Sequence, residues 1–175
     1  MELKTGKLIL RDFRFDDLPA YLLLRSDSKF QRFYSEEESG DEKSESLLRF
    51  FIEQANETPR TKFQLAICSN DQVLMGSCGI RMEGAGSYSI GCELGRRWHG
   101  SGIARQACTA IIEFGFRDLN AERIYAETIS ENIAAIRLCA SVGLKMETER
   151  INDRFFKGRS WNTAVYSIMR NEWLE

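Results

Sequence analysis

The sequence predicts an α/β fold: one sheet of mixed, mostly antiparallel direction, with about seven strands and four helices in the order βααβββαβαββ. Three observations carry it. Segments of period-two alternation are interspersed with segments whose apolar residues recur at three and four. Three strand-like segments in the middle are joined by two short turns, which demands antiparallel neighbours. Beyond them strands and helices alternate, which a purely antiparallel meander does not do.

Each element has its own signal. Lys7 to Phe13 alternates, with Leu8 and Leu10 on one face and Lys7, Ile9 and Arg11 on the other. Asp16 is placed to cap a helix carrying Leu18, Tyr21, Leu22 and Arg25. Ser39 to Ser44 offers caps for a second helix with the stripe Leu47, Leu48, Phe51, Ile52 and Ala55, ended by Thr58-Pro59. Phe63 to Cys68, Val73 to Met82 and Ser87 to Leu94 form the meander, turning at Asn70-Asp71 and at Gly84 to Gly86. Ile103, Ala107, Ala110, Ile111 and Phe114 stripe a third helix. Arg123 to Thr128 is a strand, and Ile133, Ile136 and Ala140 belong to a fourth helix that Gly143 closes. Lys145 to Phe156 and Trp161 to Met169 are the last strands, turning at Lys157-Gly158.

Composition narrows the function. The 175 residues fit one domain spanning residues 1–175. Twenty-four Lys and Arg against 26 Asp and Glu exclude a strongly basic nucleic-acid binder. No apolar run has the length of a membrane span, and Met1 to Lys7 lacks the apolar centre of a secretion signal, so a cytoplasmic protein is expected. The five cysteines (68, 78, 92, 108, 139) are widely spaced and His99 is the only histidine, so reduced core cysteines and no metal are expected.

The chemistry concentrates in Arg97-Trp98-His99-Gly100-Ser101-Gly102-Ile103-Ala104, between a strand and an amphipathic helix. Glycines there let backbone approach a ligand, and the helix start offers unpaired N–H groups and a positive dipole end. Together they form a pyrophosphate cradle, to which Arg97 adds charge. A dinucleotide fold does not fit, because Arg105 stands at the third glycine position and the motif lies past the middle of the chain. A P-loop lacks its Gly-Lys-Ser/Thr.

The segment resembles the Arg/Gln-x-x-Gly-x-Gly/Ala motif of the GNAT N-acetyltransferases, and the resemblance extends along almost the whole chain. Glu93-Leu94-Gly95 is similar to the Glu-Ile-Gly of the RimJ/RimL branch. Asn132-x-x-Ala135-x-Arg137-Leu138 with Val142-Gly143-Leu144 is similar to its helix and helix end. Leu8 to Arg11 is similar to its first strand, and Val165-Tyr166-Ser167 and Glu172-Trp173 are similar to its usual C-terminal ending.

The resemblance implies a sheet splayed between the fourth and fifth strands of this count, with the pantetheine arm of acetyl-CoA between them. It implies coenzyme contacts from Leu94, Arg97, Trp98, His99, Gly100, Ser101, Gly102, Ile103, Ala104, Asn132, Ala135 and Arg137. It further implies direct transfer of acetyl to a primary amine, in the first place a protein N-terminus such as that of a ribosomal protein, by a monomer or homodimer. A small amine, antibiotic or polyamine, is the alternative acceptor, and a catalytically impaired coenzyme-binding module is the alternative of another class. Glu93 is the first candidate base, through a water, and Glu127 the second. Either carboxylate is otherwise structural. Many relatives carry a general-acid tyrosine where this chain has Cys139, which leaves that thiol as proton donor, nucleophile or core residue. The acidic stretch Ser35 to Glu45 is a solvated loop or a lip that attracts cations, and Phe30, Phe33 and Tyr34 before it are surface residues or an acceptor wall.

Overall fold

The structure, a computed structural model, describes residues 1–174. Its eight strands are β1 (Glu2–Thr5), β2 (Leu8–Asp12), β3 (Lys62–Ser69), β4 (Leu74–Gly84), β5 (Ser87–Leu94), β6 (Arg123–Ile129), β7 (Lys145–Phe156) and β8 (Arg159–Met169). They form one sheet in the order β1-β2-β3-β4-β5-β6-β8-β7. The helices are α1 (Leu18–Arg25), α2 (Asp41–Gln54), α3 (Ile103–Arg117), α4 (Ile133–Ser141) and the short α5 (Arg170–Leu174). The expected mixed α/β architecture is present, with β1 and α5 added to the expected seven strands and four helices.

β1 escapes sequence reading because it is four residues long with one apolar side chain, Leu3. Gly6, at φ +54°, turns it back onto β2. At α1 the cap is one residue later than expected. A 3₁₀ turn covers Phe15–Asp17, and the Asp17 carboxylate accepts the Arg14 N–H at 2.8 Å while pairing with buried Arg11. α2 begins after Gly40 with no side-chain cap. The Lys157-Gly158 turn has positive φ at both residues, as a tight hairpin requires.

Both faces of the sheet are covered, so strand alternation sorts residues between two cores. Leu8, Leu10, Leu65 and Ile67 pack with α3, whereas Ile9, Ala66 and Cys68 pack with Tyr21 of α1 and Leu48 and Phe51 of α2. At the C-terminus Trp173 stacks on Phe116 of α3, their centroids 5.1 Å apart.

The sheet's one parallel contact positions the site. β5 and β6 pair only from Ser87↔Arg123 to Ser89↔Tyr125. Beyond that point β5 follows β4 as far as Gly76↔Leu94, and β6 follows β8 as far as Ile129↔Thr163. The two strands therefore part, which is the expected splay.

Candidate active site

A cleft of about 400 Å³ opens where β5 and β6 diverge. Tyr21, Arg25 and Tyr34, Ile90 to Glu93 of β5, Ala126 to Thr128 of β6, and Asn132, Ala135 and Cys139 line it.

Glu93 lies near the end of β5 and reaches into a network built by α1, the segment before α2 and β4. Its Oε1 accepts from Arg25 Nη1 at 2.6 Å and from the Tyr34 hydroxyl at 3.1 Å. Its Oε2 accepts from Ser77 Oγ at 3.2 Å and, more loosely, from the Tyr21 hydroxyl at 3.4 Å. A carboxylate offers about four lone-pair sites, and all four are engaged here. Arg25 is 4% exposed, and each of its three nitrogens donates: besides Nη1 to Glu93, Nε donates to Ser44 Oγ and Nη2 to the Glu38 carbonyl. Rings of Tyr21, Phe30 and Tyr34 lie 5.4–5.7 Å from its guanidinium, with Phe30 stacked on Tyr34. Such an arrangement compensates a buried cation with a counter-ion, hydrogen bonds and aromatic faces. Burial, then the Glu93 charge, pushes both phenols above their ordinary pKa, so Tyr21 and Tyr34 stay protonated donors at neutral pH.

Glu127, on β6, also borders the cleft, but its two oxygens accept from Arg150 at 3.1 and 2.8 Å in an exposed pair. Cys139 is buried on the α4 face shared with Asn132 and Ala135, as their spacing requires. Burial, and secondarily Cys108 nearby, pushes its thiol up to about 11. Asn132 caps α4, its side chain accepting the Ala135 N–H at 3.3 Å. Ala135 faces the cleft, and Arg137 is exposed.

The glycine loop joins β5 to α3. After a single 3₁₀ turn at Arg96–Trp98, Gly100 and Gly102 take φ +74° and +80°, which L side chains rarely adopt. A Cβ at either would meet nothing within 4 Å, so the loop faces open space. The first bond of α3 runs from the Gln106 N–H to the Gly102 carbonyl, leaving the preceding amides free of intrahelical partners. His99 Nε2 contacts the Leu94 carbonyl at 2.9 Å, and Ser101 Oγ donates to the Trp98 carbonyl, both bracing the loop. The Arg97 guanidinium lies 4.5 Å over the Trp98 ring, exposed beside the helix start. Ile103 and Ala104 are half-buried in the first turn of α3. The loop, the open space before it and the strand gap fit an extended ligand with an anionic diphosphate at one end.

Of the residues singled out in the sequence, Glu93, Glu127, Asn132, Ala135 and Cys139 line the cleft, whereas the glycine loop 97–104 is not part of its lining. Sequence reading missed the central role of Arg25, Tyr21 and Ser77. The signal was present for the arginine: a charge on the apolar stripe Leu18, Tyr21, Leu22 is buried or misplaced, and a buried arginine demands a carboxylate. Of the three aromatics before the acidic stretch, Phe30 and Tyr34 wall the cleft's arginine, and Phe33 packs edge-on against Trp161.

A glycine loop at a helix start, opening onto a gap between diverging parallel strands, is the layout of a coenzyme A-dependent acyltransferase. Residues 7–145 match the family model described as the acetyltransferase (GNAT) domain, and the chain belongs to that family. It is 26% identical to the uncharacterized N-acetyltransferase YnaD of Bacillus subtilis, over 99% of each chain. Among solved structures, spermidine N-acetyltransferase from Vibrio cholerae, in complex with CoA and spermine, superposes with a TM-score of 0.81. That match has 19% identity and covers 97% of this chain and 99% of the other. Ribosomal-protein-S5-alanine acetyltransferase from Vibrio fischeri also gives 0.81, at 18% identity, covering 99% and 98%. The protein is an N-acetyltransferase that uses acetyl-CoA. No described helix is long and apolar enough to cross a membrane.

Proposed function

We propose that the protein transfers acetyl directly from acetyl-CoA to a free α-amine, the N-terminus of a protein or peptide of the ribosomal-protein type. The observation that carries this reading is the engagement of the cleft carboxylates. Glu93 is held by four donors and Glu127 by Arg150, so neither is free to take a proton without giving up a partner. An acceptor that arrives neutral suits such a site. An α-amine with a pKa near ~8 is about one quarter neutral at pH 7.5, whereas a lysine-like amine near ~10.4 is neutral only about once in a thousand.

In this reading Gly100, Gly102 and the first amides of α3 hold the diphosphate, with Arg97 adding charge and His99 and Ser101 fixing the loop. Leu94 and Ala135 flank the pantetheine arm, and Asn132 holds the start of α4 beside it. The acceptor enters between the aromatic wall of Tyr21 and Tyr34 and the β6 edge. Glu93 takes the amine's proton through a water, releasing its long contact to Tyr21. Cys139, whose thiol stays protonated at neutral pH, donates a hydrogen bond to the departing thiolate. A thiol near pKa 11 is a poor nucleophile at pH 7.5, which favours direct transfer over an acyl-enzyme.

Charge supports a second acceptor class. Glu36 and Glu37 are exposed and precede Glu38, which lines the cleft and pairs with Arg154; two exposed carboxylates at that point attract a polycation, and one structural neighbour is named for spermidine. The pH profile of kcat/KM separates the two. With a free α-amine peptide it rises and levels off near pH ~8, and with a lysine-like alkylamine it keeps rising toward ~10. A peptide profile flat between pH 6 and 9 would contradict the neutral-amine mechanism.

A further inference from the structure

Three of the five cysteines converge behind the cleft. Cys78 of β4 and Cys92 of β5 are direct partners across the strand pair, and Cys108 of α3 lies over them. Their three Sγ atoms all lie within 4.8 Å of one another. Cys78 and Cys108 are buried, and Cys92 and Cys108 border the cleft. The chain positions are 14 and 16 residues apart, which is why spacing gave no hint of them.

We propose that Cys78, Cys92 and Cys108 form a three-thiolate binding site for a soft divalent metal ion of the zinc–cadmium type. A shared ion with bonds of about 2.3 Å holds its sulfurs just under about 4 Å apart, a contraction that small χ1 adjustments supply. Two adjacent strands and a helix packed on them fix the three sulfurs in advance, so little ordering is needed. Soft sulfur ligands without a carboxylate among them select thiophilic ions over Mg²⁺ or Ca²⁺. Three protein ligands leave a tetrahedral ion one open position, which a water entering by the cleft takes. On binding, three S–H bonds break, three metal–sulfur bonds form, and three protons leave to solvent. The proposed site lies beside the acetyl-transfer cleft and does not depend on acetyl transfer.

Cadmium is the probe. The reduced full-length protein, titrated with Cd²⁺, is expected to bind one equivalent, with an ultraviolet thiolate-to-cadmium charge-transfer band. Cys92→Ser and Cys108→Ser should each weaken binding more than about 100-fold, since even outer-shell partners of a metal are worth about 10–100-fold. Cys68→Ser, on the opposite face of the sheet, should leave it unchanged. X-ray absorption of the wild-type complex, which needs no variant to fold, should count three sulfur neighbours. Absence of the band, a count of two sulfurs or fewer, or unchanged affinity in folded Cys92→Ser and Cys108→Ser variants would overturn the site.

Discussion

Arg25 and Glu93 carry the cleft at the scale of single residues. Neither works alone: removing one leaves the other as an uncompensated charge, at a cost of about 3–5 kcal/mol for a fully buried pair. Glu93 is 18% exposed, which places its loss toward the low end. Glu93→Gln should therefore lower the melting temperature and reduce kcat about 10²-fold, within the general-base range, while acetyl-CoA affinity stays nearly unchanged in calorimetry. If Glu93→Gln keeps full activity and Glu127→Gln does not, the proton passes to Glu127. Cys139 allows a second test. Full proton transfer from a thiol near 11 to a thiolate near ~8.5 is uphill by about 3 kcal/mol, so in the proposed mechanism its contribution is a hydrogen bond. Cys139→Ala should lose about tenfold in kcat, a loss of about 1.4 kcal/mol, and Cys139→Ser should retain part of the rate. Cys139→Tyr should restore or raise it. Intact mass after mixing with acetyl-CoA alone should show no acetyl adduct. An adduct on Cys139 would replace direct transfer with an acyl-enzyme.

At the scale of elements, the glycine loop and the start of α4 build the coenzyme side in the proposed reading. Gly102 precedes α3 at φ +80°, so Gly102→Val imposes left-handed strain of about 1–2 kcal/mol and adds bulk to the open face of the loop. Calorimetry should find acetyl-CoA binding weakened at least about tenfold in a variant that remains folded. Unchanged affinity would remove the loop from the coenzyme site. Asn132→Ala removes a cap and should cost about 1 kcal/mol in denaturant unfolding. These elements were legible because their signals are local: a glycine pair before an apolar stripe, and an asparagine three residues before a helix face. The elements that were not legible depend on partners. β1 exists because β2 offers an open edge, and α1 starts after Asp17, whose carboxylate is held by Arg11. The convergence of Cys78, Cys92 and Cys108 depends on strand register and helix docking together, which no single segment encodes.

For the whole molecule, the mixed sheet does two things at once. Antiparallel neighbours on both sides hold β5 and β6 separately, and the three-residue parallel contact lets them part below it. The order of elements announced that sheet, and the resemblance of its motifs implied the splay. The acceptor stayed hidden, because the cleft is lined by side chains from α1, the segment before α2, β5 and β6, which only the fold brings together. Thiol release from acetyl-CoA at pH 7.5 tests the central claim most directly. Three acceptors suffice: a lysine-free peptide with a free N-terminus, its N-blocked counterpart carrying one lysine, and spermidine. The free α-amine should be turned over with kcat/KM at least about tenfold above the other two, following its larger neutral fraction. Preference for spermidine or for the blocked peptide, or tight coenzyme binding without thiol release for any of the three, would contradict it.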